Sequence, residues 1–255
     1  MRQSFVLCVC IVLASTFLSC AKTSATSESQ VATTDTVVDI EAQLSTETAQ
    51  DLILAQRYEE ATQMLHQILE SQPNNLLALE LRAVSQIKSG VVTRSLDDFI
   101  AITQIQPSAR AFFNLGVALH QLGFCERAVD AYRRALELSP NDYQLMTNMG
   151  AAYVCYGKRD EGIAVLNQAL ISNPNNELVL TNLGIAYLEK KDVDNALIYL
   201  NRAVQANEAY ASAHFALFRL HFAQNNHEQG KKHLRRFAEL MPNSRKVRSY
   251  EKEMR

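Results

Sequence analysis

Glycine and proline are scarce in this sequence, at 8 and 5 among 255 residues, and that scarcity excludes a turn-rich all-β fold. Net charge is nearly absent too. Lys and Arg number 25 against 27 Asp and Glu, a formal −2, so no global basic field points to nucleic acid. Motifs of common catalytic sites are missing: there is no P-loop, no HExxH pair, no glycine-rich dinucleotide turn and no GxSxG elbow. The 6 histidines are scattered. His214 and His221 share a helix face, but no Cys, Asp or Glu joins them at ligand spacing. These absences argue against an enzyme and give no reason to expect a cofactor or a metal.

The sequence also lacks an apolar run long enough to span a bilayer. The uncharged N-terminal run from Phe5 to Leu18 would reach only ~21 Å as a helix, against a hydrocarbon core of ~30 Å. That length, behind Arg2, suits the apolar core of a signal peptide over residues 1–19. Leu18-Ser19-Cys20 follows at once. It resembles the lipobox of bacterial lipoproteins, which implies that Cys20 is acylated, palmitate included, and becomes the mature N-terminus. The alternative is an ordinary secreted protein with a chance cysteine. One acyl chain holds a membrane weakly, whereas two or more anchor it stably. Ala21, not Asp, follows Cys20, so the resemblance implies the outer membrane, facing the periplasm. Residues 20–41 read as a lipidated cysteine and a flexible Ser/Thr-rich tether with little to bury.

Cysteines are few. Of 5, Cys8 and Cys10 leave with the signal peptide and Cys20 carries lipid, so Cys125 and Cys155 remain as thiols. Two readings stay open for them. Either they bridge neighbouring antiparallel helices in an oxidising compartment, or they are small apolar fillers whose Cβ directions diverge. The second is the expectation.

What the chain has is apolar content, 47%, and a period. Pro73-Asn74-Asn75, Pro140-Asn141-Asp142, Pro174-Asn175-Asn176 and Pro242-Asn243-Ser244 recur at 34 residues or multiples of it, with one residue lost near Pro107-Ser108. Each is a helix stop followed by a turn. The period divides residues 42–244 into six helix–turn–helix units, 42–75, 76–108, 109–142, 143–176, 177–210 and 211–244. Val247, Tyr250 and Met254 stand at helical spacing amid charges, so residues 245–255 read as a capping helix.

The third unit carries Phe112, Leu115-Gly116, Leu119, Ala128, Tyr132, Ala135 and Pro140; the fourth Met146, Met149-Gly150, Tyr153, Gly162, Leu166, Ala169 and Pro174; the fifth Leu180, Leu183-Gly184, Tyr187, Ala196, Leu200 and Ala203. This pattern resembles the tetratricopeptide repeat (TPR). The resemblance implies an all-α superhelical solenoid of about six repeats. Gly116, Gly150 and Gly184 would let helices approach closely, and no unit could bury its apolar face alone. The terminal units depart from the pattern: Arg82-Ala83 replaces Leu-Gly, Phe218 replaces Gly and Phe237 replaces Ala.

In this family the inner stripe of each first helix lines a groove for an extended peptide or a partner helix. On that stripe lie Arg110, Phe113, Val117 and His120; Gln144, Thr147, Ala151 and Val154; Leu178, Thr181, Ile185 and Leu188; and Ser212, Phe215, Arg219 and Phe222. The expectation is an apolar groove opposite the core stripe. A foreign protein is the expected occupant, with the tether (through Val31, Val37, Val38 and Ile40) or a second copy of the chain as alternatives. Asn114, Asn148 and Asn182 form a ladder at 34-residue spacing, expected to tie adjacent units together or to meet a peptide backbone. Phe113 and Val117 stand where chaperone-binding relatives place polar carboxylate-gripping residues, so that activity is not expected. The C-terminal basic run, from Lys231 to Arg255, reads as a solvated helix face or a contact for an anionic partner.

The combined expectation is a membrane-anchored scaffold that binds partner proteins in the bacterial envelope. A lipidated cysteine ahead of six such repeats also resembles the pilotin lipoproteins of type IV pili, which assist outer-membrane secretins. An adaptor for peptidoglycan hydrolases is a further alternative.

Overall fold

The computed structural model describes residues 45–253, with side chains to Tyr250. Residues 1–41, read from the sequence as signal peptide, lipidated Cys20 and tether, and Met254 lie outside the described residues. Among the described residues every regular element is a helix, and none is long and apolar enough to cross a membrane. The all-α reading holds.

The described chain forms two compact units that meet in sequence at Leu122 and Gly123. The N-terminal unit contains α1 (Thr46–Leu54), α2 (Tyr58–Ser71), α3 (Leu76–Lys88), α4 (Val92–Ile105) and α5 (Ala109–Gln121). Each helix packs on the next, and α1 also touches α3. Ala49, Leu65, Ile68, Leu69, Ala78 and Leu79 form a shared core there.

The C-terminal unit contains α6 (Cys125–Leu138), α7 (Tyr143–Tyr156), α8 (Arg159–Ser172), α9 (Glu177–Glu189), α10 (Val193–Ala206), α11 (Ala211–Ala223), α12 (His227–Leu240) and α13 (Arg245–Glu253). Consecutive helices pack pairwise. The first helices also meet one another, α7 against α9 and α9 against α11. The core is correspondingly strung out. One cluster joins Met146, Leu166, Val179 and Leu183, and the next joins Ala196, Leu200, Leu217 and Leu220.

Two local devices write the period into the backbone. The Pro-Asn-Asn turns do more than stop a helix: their last residue caps the next one. Asn75, Asp142 and Asn176 each accept a backbone N–H of the following first turn through the side chain, and Ser108 does so after the shortened Pro107 turn. Such caps contribute about 1 kcal/mol each. Between the helices of each pair a residue takes the left-handed conformation: Gln56, Gly90, Gly123, Gly157, Lys191 and Asn225, with φ between 59° and 88°. Glycine adopts that backbone without strain, whereas a side chain is disfavoured there.

The small residues of the repeat serve close approach. A Cβ added at Gly150 would lie 2.6 Å from Leu166 Cγ, and one at Gly184 would lie 2.5 Å from Leu200 Cγ. The first helix therefore sits directly against its partner.

Cys125 and Cys155 are joined by a disulfide whose Cα atoms stand 5.8 Å apart, inside the range a bridge can span. It ties the start of α6 to the end of α7, so the two Cβ directions do not diverge as the sequence suggested. The bridge closes a loop of sequence separation 30, and removing it is expected to lower stability by about 2–4 kcal/mol. The check is the denaturant midpoint of Cys125→Ser/Cys155→Ser against the oxidised parent; identical midpoints would refute it.

Candidate partner-binding site

In the N-terminal unit, α5 carries the first set of stripe residues. Arg110 is exposed and its Nη2 lies 2.7 Å from Glu80 Oε1 on α3. Phe113 is half-buried, but Val117 is 1% and His120 7% exposed. These last two are interior residues, which corrects their placement in an open groove.

His120 is buried as a neutral ring, and burial pushes it down to about 4 from 6.5. The folded form thus binds fewer protons than the unfolded chain between those values. The stabilisation is full above pH ~6.5 and is lost as pH falls toward 4. On the order of 2–3 kcal/mol should disappear over that interval. Denaturant midpoints at pH 7 and pH 4 check this: His120→Gln should lose distinctly less than the parent, and equal losses would count against it.

In the C-terminal unit α7, α9 and α11 supply the remaining sets. Thr147 is 2% exposed and its hydroxyl donates to the Tyr143 carbonyl at 2.6 Å; Thr181 is 1% exposed. Phe215 is 7% exposed, held among Phe218, Phe237 and Val247. All three belong to the interior, not to an open groove. Leu178 and Arg219 are half-buried. Ile185 and Leu188 lie half-buried against the Ala196–Leu200–Leu217–Leu220 cluster, Val154 against the Met146–Leu166 cluster and Phe222 against the Phe215 cluster.

One apolar row of the proposed groove is half-buried on all three first helices of this unit. Val154, Leu188 and Phe222 recur at 34-residue spacing near the C-terminal ends of successive first helices, each partly open to solvent. The open apolar groove expected from the sequence is interrupted in this unit, because Thr147, Thr181 and Phe215 are buried.

The asparagine ladder also needs correction. Asn148 Nδ2 donates to the Gln144 carbonyl of its own helix at 2.8 Å, so it ties no units together. Asn182 is 4% exposed and its Oδ1 is buried without a hydrogen-bond partner. Asn114 is half-buried. Ties between adjacent units include the Lys190–Asp160 ion pair and the hydrogen bond from the Tyr156 hydroxyl to Glu126 Oε1 at 2.6 Å, while the Tyr187–Tyr199 ring stack, with centroids 5.4 Å apart, joins the two helices of one unit. In the basic run Lys232, Arg235, Arg245 and Arg248 are exposed, and Lys246 Nζ sits 5.0 Å over the Phe215 ring.

Sequence reasoning missed two clusters. Arg82, in the place of the usual leucine, forms a two-point ion pair with the buried Asp98: Nε to Oδ2 is 3.0 Å and Nη2 to Oδ1 is 2.5 Å. The Arg82-for-Leu departure was the available signal, since a buried cation needs a counter-charge. The second cluster joins His214 and His221 of α11 to His233 of α12. Burial first, then the neighbouring His214, His221 and Lys232, pushes His233 down to about 4.

Residues 109–142 match one family model described as tetratricopeptide repeat, and residues 150–213 match another. Both stretches are tetratricopeptide repeats. Solved structures extend the likeness beyond them. PilW, described as a widely conserved type IV pilus biogenesis factor, is 21% identical with a TM-score of 0.65, and the alignment covers 85% of this chain and 99% of PilW. A tetratricopeptide repeat protein from Parabacteroides merdae is 17% identical with a TM-score of 0.72, covering 82% and 81%. YrrB, described as having an unusual peptide-binding site, is 20% identical with a TM-score of 0.57, covering 69% and 93%. At these identities the likeness establishes the repeat fold.

Proposed function

We propose that this chain is a non-enzymatic scaffold of the bacterial envelope, anchored through acylated Cys20, whose repeats hold a segment of a partner protein. The observation that carries the reading is the row of Val154, Leu188 and Phe222, half-buried apolar side chains repeated on successive first helices. A segment lying across them would complete their burial and add about 25 cal/mol for each Å2 of apolar surface it covers. The half-exposed Arg219 beside Phe222 gives such a segment a polar anchor. The lipid would hold the array at the outer-membrane face of the periplasm.

Whole-cell photo-crosslinking tests this. Crosslinkers at positions 188 and 222 should each trap the same discrete protein, and one at Ile198, 55% exposed on the second-helix side, should not. Leu188→Asp should abolish the product. Equal trapping from position 198, or none from 188 and 222, refutes the scaffold reading. Mass spectrometry of the mature N-terminus tests the anchor separately, since an unmodified start elsewhere than Cys20 removes it.

The narrower reading is a pilotin role in type IV pilus assembly. The likeness favouring it is PilW, aligned over 99% of its length. The trapped partner would then be a secretin subunit; a peptidoglycan hydrolase would favour the adaptor role.

A further inference from the structure

The last repeat contains three imidazoles that the scaffold reading leaves unused. His214 and His221 come from α11, two turns apart, and His233 from α12 packs between them. The His214 ring is 5% exposed. Its Nε2 lies 3.0 Å from the Glu208 carbonyl oxygen. A carbonyl oxygen only accepts, so Nε2 carries the proton and Nδ1 keeps its lone pair. That lone pair faces His233, whose Nδ1 is 3.1 Å away. His221 stacks on the other side of His233, with centroids 5.7 Å apart and rings 8° from parallel, and its Nδ1 is buried without a hydrogen-bond partner.

We propose that His214 and His233 form a binding site for a borderline divalent transition-metal ion of the zinc, copper or nickel class, held through their two Nδ1 atoms. Imidazole nitrogens suit these ions and not magnesium or calcium. Two nitrogens bound to one tetrahedral zinc at about 2.0–2.1 Å stand about 3.3 Å apart. The pair is already at 3.1 Å, so small ring rotations bring both lone pairs onto one ion. The charge and proton balance is simple. The His233 proton moves from Nδ1 to Nε2, the ion takes its place between the rings, and water completes the coordination. The backbone carbonyl on His214 Nε2 fixes the ligand's tautomer, as the outer partners of metal-bound histidines do. The ion would clamp α11 to α12, stabilising the terminal repeat on which α13 stands.

The test uses the full chain without a histidine tag, stripped by chelator and titrated with zinc chloride by calorimetry and thermal melting, with a Cys8→Ser/Cys10→Ser/Cys20→Ser variant to exclude those thiols. The expected result is one zinc ion per chain with micromolar or tighter affinity, a raised Tm, and no response to magnesium. His214→Gln and His233→Gln should each weaken binding tenfold or more, while His66→Gln should not. Because either substitution could unfold the repeat, imidazole nitrogen resonances of the unsubstituted protein provide a second reading: zinc should shift Nδ1 of His214 and His233. Loss of affinity in His221→Gln as well would make that ring the third ligand, supporting the site. Absence of saturable binding below 100 µM zinc, unchanged affinity in both ligand variants, or shifts confined to other histidines would overturn the proposal. None of these outcomes depends on partner binding.

Discussion

Arg82→Leu is expected to destabilise the N-terminal unit by about 3–5 kcal/mol, although leucine is the residue the repeat pattern wants there. The reason is Asp98. Its side chain is 3% exposed and takes both its hydrogen bonds from Arg82, at 3.0 and 2.5 Å. Removing the guanidinium leaves a buried carboxylate without its counter-charge, and breaking one side of a buried pair costs several kcal/mol even where the intact pair contributes little net stability. Arg82 Nη1 also lies 3.2 Å from His66 Nδ1, a contact exposed enough to contribute little. The double variant Arg82→Leu/Asp98→Leu removes both charges and should recover most of the loss. Urea unfolding of the parent, the two single variants and the double variant closes the cycle. A loss below about 1 kcal/mol for Arg82→Leu, or additive losses in the double variant, would show that the pair is not coupled in this way.

This pair marks the limit of what the sequence shows. The 34-residue period, the helix pairs, the close approach at Gly150 and Gly184 and the place of a terminal helix were legible, because they rest on backbone punctuation and residue size. The exposure of the first-helix stripe was not. A stripe argument assumes that a helix has one buried and one solvated side. Helix α9 has no such free side, since it touches α7, α8, α10 and α11, and Val179 through Gly184 are all buried in unbroken succession. The same crowding buries Thr147 on α7, which touches α6, α8 and α9. Second helices such as α6 and α12 have fewer neighbours, and there polar and apolar faces separate as the sequence implies. Arg82–Asp98 and His214–His233 were hidden for a different reason. Each joins residues on different helices, 16 and 19 positions apart, and only the packing angle decides which side chains meet.

Phe215→Ala should then act on stability first and on partner binding only through it. Phe215 is 7% exposed and central to an aromatic group: its centroid lies 4.9 Å from Phe237, 5.9 Å from Phe218 and 5.8 Å from Tyr250. Lys246 Nζ sits 5.0 Å over the ring, and Val247, 5% exposed, closes the cluster. Three of these contacts reach α13, so the face read from sequence as a groove is the seat of the terminal helix. Truncating a buried phenylalanine costs about 3–5 kcal/mol through lost transfer energy and the cavity left behind. Helix α13 is only nine residues long and strongly polar on its outer face, too short to persist without its docking surface. The expected result is a lowered unfolding midpoint together with loss of amide protection across Arg245–Glu253, while α7 to α9 stay protected. Phe222→Ala, on the same helix but half-buried, should cost roughly half as much or less and leave α13 protected. If Phe215→Ala leaves α13 as protected as the parent and shifts the midpoint by less than about 1 kcal/mol, the side chain is not the seat of that helix and its assignment to an open groove would have to be restored.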